Sequence, residues 1–78
     1  MDYQSHFIRD RQICNGETVI RGTRIPLRVV LASLAEGASD EELLASYLGL
    51  TREDVRAAIA FAAASAEEDL PVPEIPAF

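Results

Sequence analysis

SDEELLASYLGLTREDV, residues 39–55, carries the start signals of two consecutive helices. Ser39 is followed three residues later by Glu42, which is the capping-box pattern of a helix start. In that pattern, each of the two side chains accepts a hydrogen bond from the backbone N–H of the other residue. Thr51 and Asp54 repeat the pattern at the same spacing with a shorter acid. The sequence therefore predicts one helix that starts at Ser39 and another that starts at Thr51.

A short turn joins these two predicted helices. It consists of Leu48-Gly49-Leu50, and a connection of three to four residues that contains a glycine is the helix-turn-helix arrangement. Apolar residues at helical spacing predict the buried face of the first helix of the pair: Leu43, Leu44, Tyr47 and Leu48. The second helix can continue to about Asp69, because the prolines that follow prevent it from going further.

Another helix and a hairpin precede this pair. Pro26 suits the first position of a helix, where its missing N–H has no partner to lose, and Gly37 suits the position just after the helix end. Between them, apolar residues at helical spacing form one face: Leu27, Val30, Leu31 and Leu34. Upstream, Asn15-Gly16 predicts a tight hairpin turn between short strands at residues 12–14 and 18–20.

These signals together predict a mainly α chain. The expected fold is a three-helix helix-turn-helix bundle of homeodomain or winged-helix type, preceded by a short N-terminal β-hairpin. We divide the chain into an N-terminal arm and β-hairpin at residues 1–25, a three-helix domain at residues 26–69 and a proline-rich extended tail at residues 70–78.

The third predicted helix has two apolar sides. The side expected to close the core consists of Val55, Ala58, Ile59, Ala62 and Ala66. A second strip consists of Ala57, Phe61 and Ala64. A helix that is apolar almost all round is normally buried on more than one side, so we predict that this second strip binds another chain. The alternative is that the alanines are simply good helix formers, but Phe61 among them favours a contact patch.

The tail alternates apolar residues with Pro71, Pro73 and Pro76. Because the prolines prevent a helix or a central strand, an extended segment is expected. We predict that Val72, Ile75 and Phe78 pack into a groove on a partner or on the neighbouring subunit. The alternative is a frayed terminus, since chain ends are often poorly ordered.

The small size of the chain favours a dimer. A chain of 78 residues is only marginally stable as a monomer, because it buries a small share of its surface. With one cysteine, Cys14, and one histidine, His6, it has no internal disulfide and too few ligands for a zinc site. A homodimer without a metal or a cofactor is therefore expected.

Charge is divided unevenly along the chain. Residues 1–35 hold five Arg and three acids, a net charge of +2, whereas residues 36–78 hold two Arg and ten acids, a net charge of −8. An acidic chain is a poor general binder of nucleic acid. In the third helix, Arg52 and Arg56 are placed to read bases from its first two turns. The alternative that they form surface ion pairs is left open.

Residues 16–27, GETVIRGTRIPL, resemble the signature of a bacterial and archaeal family, domain of unknown function 433. Later stretches are similar to the same family: Gly37-Ala38-Ser39 with Glu41 and Glu42, Tyr47-Leu48-Gly49-Leu50-Thr51, Asp54-Val55 and Ala57-Ala58-Ile59. The resemblance covers about residues 7–66. The chain departs from the family at Thr18 and Leu48, where proline is usual.

The resemblance implies a helix-turn-helix domain related to type II antitoxins, which are often encoded beside a PIN-like nuclease toxin. A protein of that kind dimerises, masks the toxin and can bind operator DNA to repress its own operon. The signature falls here on Gly22, Thr23, Arg24 and Ile25. Gly22 can set a turn, Thr23 can bond to the backbone and Arg24 can pair with an acid of a helix. Alternatively, Arg24 and Arg28 face phosphate or an acidic toxin surface.

No enzyme is expected, because the family offers no catalytic residues and no nucleophile stands beside an orienting shell. Cys14 is more simply a small buried hydrophobe than a redox group. There is no signal-peptide pattern and no apolar run of roughly 18 residues, so a soluble cytoplasmic protein is expected.

The leading function is neutralisation of a partner toxin with operator binding as a second activity. The alternative is a protein-interaction or dimerisation module that does not bind DNA.

Overall fold

The computed structural model describes residues 2–67 of the chain. A 3₁₀ helix at Tyr3–His6 leads into strands β1 (Phe7–Asp10) and β2 (Ile13–Ile20), which helices α1 (Leu27–Ala35), α2 (Asp40–Ser46) and α3 (Arg52–Glu67) follow. The expected mainly helical chain with three helices behind an N-terminal antiparallel hairpin is confirmed. The predicted tail at 70–78 and its residues Val72, Ile75 and Phe78 lie outside the described residues.

The hairpin turns earlier than expected. Strand pairing runs from Phe7 opposite Ile20 to Asp10 opposite Ile13, so the turn is Arg11-Gln12 and the prediction of a turn at Asn15-Gly16 is wrong. The Asp10 carboxylate accepts a hydrogen bond from the Gln12 N–H at 2.9 Å, which stabilises a tight turn locally.

The Asn-Gly pair instead forms an irregularity inside β2. The pairing register shifts between Arg9 and Asp10, and the opposing strand takes up the extra residues as a bulge. Cys14, Asn15 and Gly16 have φ angles of 50°, 56° and 82°. These are left-handed values that asparagine and glycine tolerate well, so the Asn-Gly signal has its expected backbone conformation at a different place in the hairpin.

Helix α1 ends as the sequence predicts and begins one residue later. Pro26 is the N-cap, with an extended backbone, and the helix starts at Leu27. At the other end, the N–H groups of Gly37 and Ala38 donate to the carbonyls of Leu34 and Ser33, both at 3.0 Å. With Gly37 at a φ of +94°, this is the Schellman end that glycine favours.

Both predicted capping boxes are present. Ser39 and Glu42 bond reciprocally, with the Ser39 N–H donating to the Glu42 carboxylate at 3.0 Å and the Glu42 N–H to the Ser39 hydroxyl at 3.2 Å. At the start of α3, the Thr51 N–H donates to the Asp54 carboxylate at 3.0 Å and the Asp54 N–H donates to the Thr51 hydroxyl at 3.1 Å. Each box satisfies backbone N–H groups that have no partner inside the helix.

The core lies where the hairpin meets the three helices. Its largest fully buried side chains come from β2 and all three helices: Ile20, Leu43, Val19, Val30 and Val55. Three predicted core positions are wrong: Leu48 is 98% exposed, Ile59 is 41% exposed, and Ala66 near the end of α3 is exposed as well. Leu50 closes the core near the α2–α3 turn instead.

The N-terminal segment covers the second apolar side of α3. Phe61 makes edge-to-face contacts with Phe7, with ring centroids 5.7 Å apart, and with Tyr3, at 6.1 Å. Residues 3–6 form a 3₁₀ helix whose Tyr3 packs against the core beside Phe61. A domain of this size can thus cover two sides of one helix, because its N-terminus folds back across it.

A second contact fixes the same segment. His6 Nδ1 lies 2.8 Å from one Asp54 carboxylate oxygen, while the other oxygen accepts the Thr51 N–H. Asp54 therefore stabilises the start of α3 and connects it to the 3₁₀ helix. Among residues 2–67, no helix is long and apolar enough to cross a membrane.

We expect Asp54→Ala to lower the free energy of unfolding by about 1–2 kcal/mol, because it removes half of a capping box and the contact with His6. Urea denaturation followed by circular dichroism measures the change. Glu53→Ala is the matched control, since Glu53 is an exposed acid of the same helical turn. Equal losses for the two variants would show that only the helix dipole is involved.

Candidate partner-binding surface

The Gly-Thr-Arg-Ile signature folds into a compact turn between β2 and α1. The Thr23 hydroxyl donates to the Ile20 carbonyl at 2.7 Å and accepts from the Ile25 N–H at 3.0 Å. The Ile20 N–H donates to the Ile25 carbonyl at 2.9 Å, and Gly22 has a φ of +79°. The predicted structural roles of Gly22 and Thr23 are therefore confirmed.

This turn forms one wall of an open surface groove of about 660 Å³. We call it the hairpin groove, and it is lined by Ile8, Ile13, Gly22, Thr23, Arg24, Ile25, Leu48 and Gly49. Its lining residues include four with large aliphatic side chains and one arginine. The strands supply Ile8 and Ile13, the signature turn supplies Ile25 and the α2–α3 turn supplies Leu48.

Leu48 reaches the groove because of the α2–α3 turn. Gly49 has a φ of +93°, and the chain on its two sides points in different directions, with Leu48 in solvent and Leu50 in the core. A Cβ atom at Gly49 would lie 3.5 Å from the Thr23 methyl carbon, so the two turns are in direct contact. An almost completely exposed leucine beside three half-buried isoleucines forms an apolar patch of the kind that marks a contact site.

Arg24 brings charge to this patch. In the part of the chain that the structure describes, no acid forms an ion pair with Arg24, so the prediction that it pairs with an acid of a helix is wrong there. Its carbonyl accepts a weak hydrogen bond from the Cys14 thiol at 3.5 Å, and the residue belongs to the groove lining. By contrast, Arg28 forms an ion pair with Glu17.

The two arginines at the start of α3 contact α2. Arg52 Nη1 and Arg56 Nη2 each lie 3.3 Å from the same Asp40 carboxylate oxygen, and Arg52 also contacts Glu41 at 3.5 Å. A hydrogen bond from its own backbone N–H and the nearby Arg52 lower the pKa of Glu41 below its usual range. The sequence left open whether Arg52 and Arg56 read bases or form surface ion pairs. In this structure both form surface ion pairs.

The predicted partner face on α3 lies largely inside the chain. Ala57 is completely buried in the protein's own core, so the prediction that it contacts a partner is wrong. Phe61 is half-buried under Tyr3 and Phe7, and Ala64 is half-buried. What remains accessible of Phe61 faces a second, smaller pocket of about 320 Å³ beside Arg28 and Glu17.

The hairpin groove was missed from the sequence because its four aliphatic residues are far apart in the chain. The available signal was Leu48 itself, a large apolar residue at the position before a turn glycine. No group of three or more His, Cys, Asp or Glu side chains within residues 2–67 is arranged to hold a metal ion.

Comparisons with known proteins give one family. The profile described as "Protein of unknown function (DUF433)" matches residues 8–62. A curated relative, "Uncharacterized protein y4eO" of Sinorhizobium fredii, is 42% identical over 53 residues, which are 68% of this chain and 24% of that protein. The crystal structure of a DUF433 member protein from Anabaena variabilis superposes with a TM-score of 0.71 at 40% identity, covering 83% of this chain and 64% of that one. The chain thus spans about a quarter of the curated relative's length.

We expect Thr23→Val to lower the free energy of unfolding by about 1 kcal/mol, because it removes both side-chain hydrogen bonds of the signature turn at nearly constant volume. Thr23→Ser keeps the hydroxyl and should retain most of that stability. Thermal and urea unfolding of the two variants measure the difference. If Thr23→Ser is as unstable as Thr23→Val, the hydroxyl does not hold the turn.

Proposed function

The chain belongs to the DUF433 family of proteins of unknown function, and we propose that this member is an antitoxin-like adaptor that binds and neutralises a partner protein through the hairpin groove. The proposed partner is a PIN-like nuclease toxin, as the resemblance implies, and the proposed setting is the cytoplasm. The adaptor itself carries out no chemistry in this proposal.

The single observation that carries the proposal is the exposure of Leu48, at 98%. Complete burial of a leucine side chain contributes about 1.5–3 kcal/mol, and the neighbouring isoleucines of the groove extend the surface that a partner can cover. Two strands and two turns converge to place these side chains together. A convergent apolar patch with one charged group has the composition of a protein-binding site.

Arg24 supports an acidic partner surface. Nucleases that cleave with bound metal ions hold those ions with clustered carboxylates, because hard divalent cations prefer oxygen ligands. A guanidinium group binds carboxylates with two parallel hydrogen bonds, and Arg24 forms no ion pair within residues 2–67. In the proposed complex, Arg24 pairs with such carboxylates while Leu48 and the isoleucines supply the apolar contact.

Operator binding is the second candidate. It rests on the proposal that α2 and α3, joined through Gly49, form a helix-turn-helix in which α3 enters the major groove. The observation that favours it is the position of Arg52 and Arg56 in the first two turns of α3. Both side chains contact Asp40, so DNA binding through them requires these ion pairs to open.

The partner-binding proposal is tested with the full chain and the purified product of a neighbouring nuclease gene. We expect stoichiometric inhibition of ribonuclease activity by the wild type. Leu48→Glu should weaken this inhibition at least tenfold, about 1.4 kcal/mol, because it places a carboxylate at the centre of the apolar contact. The measurement is residual nuclease activity across a titration of each variant.

Ala32→Glu is the matched control, because it adds the same charge at an exposed site on α1 outside the groove and should inhibit like the wild type. Absence of inhibition by the wild type contradicts the proposed function. Equal loss of inhibition in both variants indicates a general effect of the added negative charge, whereas inhibition by Leu48→Glu equal to that of the wild type places the partner elsewhere on the chain.

For operator binding, we expect Asp40→Asn to raise the affinity for the chain's own promoter fragment several-fold at low salt, since it releases Arg52 and Arg56 from their shared carboxylate. Glu53→Gln is the control, because it makes the same change in net charge on α3 without touching either ion pair. Fluorescence anisotropy at two salt concentrations measures both affinities. Equal gains in affinity for the two variants indicate that the change in net charge, and not the release of the arginines, causes the effect. If neither variant binds the promoter fragment, operator binding is rejected and only the protein-interaction function remains.

A further inference from the structure

The residues that line the hairpin groove are complementary in polarity and charge to residues 70–78 of the same chain. The lining residues include Ile8, Ile13, Ile25 and Leu48, which are aliphatic, and one arginine, Arg24. Residues 70–78, Leu-Pro-Val-Pro-Glu-Ile-Pro-Ala-Phe, alternate apolar side chains with prolines and carry one acid, Glu74. An apolar segment with one carboxylate complements an apolar groove with one guanidinium.

We propose that the hairpin groove binds residues 70–78 of a second copy of this chain. Val72 and Ile75 occupy the aliphatic lining, and Glu74 between them pairs with Arg24. The prolines favour docking, because a backbone already restricted to an extended form loses less entropy on binding than a flexible one.

Geometry favours the tail of a second copy over the chain's own tail. Helix α3 has 16 residues and is therefore about 24 Å long, and the groove residues Leu48 and Gly49 precede its first residue, Arg52. An extended segment of this kind advances about 3.1 Å per residue. Counted from Glu67, Val72 and Ile75 are five and eight residues away and reach about 15 Å and about 25 Å back along the helix. The chain's own tail thus cannot place both Val72 and Ile75 in the groove, whereas the tail of a second copy has no such limit.

The exchange can be reciprocal. In a two-fold symmetric dimer, each tail occupies the groove of the other chain, so one type of contact is made twice. This arrangement gives the expected homodimer an interface that does not use Ala57, which is buried in the core. It rests on the proposed function only in treating the groove as a binding surface, and a partner protein at that groove has to displace the tail.

Disulfide trapping in full-length chains tests the proposal. In a Cys14→Ser background, one chain carries Leu48→Cys and a second chain, distinguished by a larger affinity tag, carries Ile75→Cys. The two are mixed, oxidised mildly and separated on a non-reducing gel. We expect a mixed disulfide at least tenfold more abundant than with Ala32→Cys in place of Leu48→Cys, since Ala32 is exposed outside the groove.

Two outcomes overturn the proposal. One is a mixed disulfide no more abundant than in the Ala32→Cys control. The other is a chain carrying both Leu48→Cys and Ile75→Cys that closes a disulfide within itself at high dilution, which assigns the groove to its own tail.

Sedimentation provides an independent readout that does not depend on cysteine chemistry. Leu48→Glu should raise the dimer dissociation constant at least tenfold, whereas Ala32→Glu should leave it unchanged. A wild-type chain that sediments as a monomer at micromolar concentration also overturns the proposal. None of these measurements uses the nuclease, so failure here together with Leu48-dependent inhibition leaves the proposed function standing.

Discussion

The hydroxyl of Thr23 holds together the region from which the candidate site is built. The hydroxyl bonds to both ends of the turn, at the Ile20 carbonyl and the Ile25 N–H. The methyl group of Thr23 packs beside Gly49 of the α2–α3 turn. One side chain therefore fixes the direction in which β2 leads into α1 and the surface on which α2 turns into α3. The hairpin groove lies at this junction, so its shape depends on a local hydrogen-bonded turn rather than on the distant core.

Features set by neighbouring residues were predictable from the sequence. Both capping boxes and the Gly37 helix end follow from contacts over three to five residues, and the chain forms them as expected. Asn15-Gly16 shows the limit of such signals, because the Asp10 carboxylate stabilises a competing turn at Arg11-Gln12, four residues earlier. The sides of α3 could not be assigned from its own sequence, since the N-terminal segment that covers Phe61 is about fifty residues away in the chain.

The candidate site contains both residues that neighbouring sequence made predictable and residues that it did not. Thr23 was predictable as a structural residue, and Arg24 as a candidate for partner binding, because both belong to a recognisable signature. Leu48 was assigned to the core on helical spacing, but α2 ends at Ser46 and the spacing no longer applies two residues later. The ion pairs of Arg52 and Arg56 are exposed, and pairs of that kind contribute only about 0–1 kcal/mol. Arg52 and Arg56 therefore form these ion pairs in the free protein, but the pairs are weak enough to open when the arginines bind phosphate in a complex.

Sharing one groove between a tail and a partner has a quantitative consequence. When the tail occupies the groove nine-tenths of the time, the apparent affinity for the partner falls about tenfold, or about 1.4 kcal/mol. If the tail comes from a second copy, as proposed, this occupancy depends on protein concentration, and dilution releases the groove. The partner then competes best when the adaptor is scarce. In the proposed system, excess adaptor occupies its own grooves, and the proposed dimer releases binding surface as free chains are consumed by the partner.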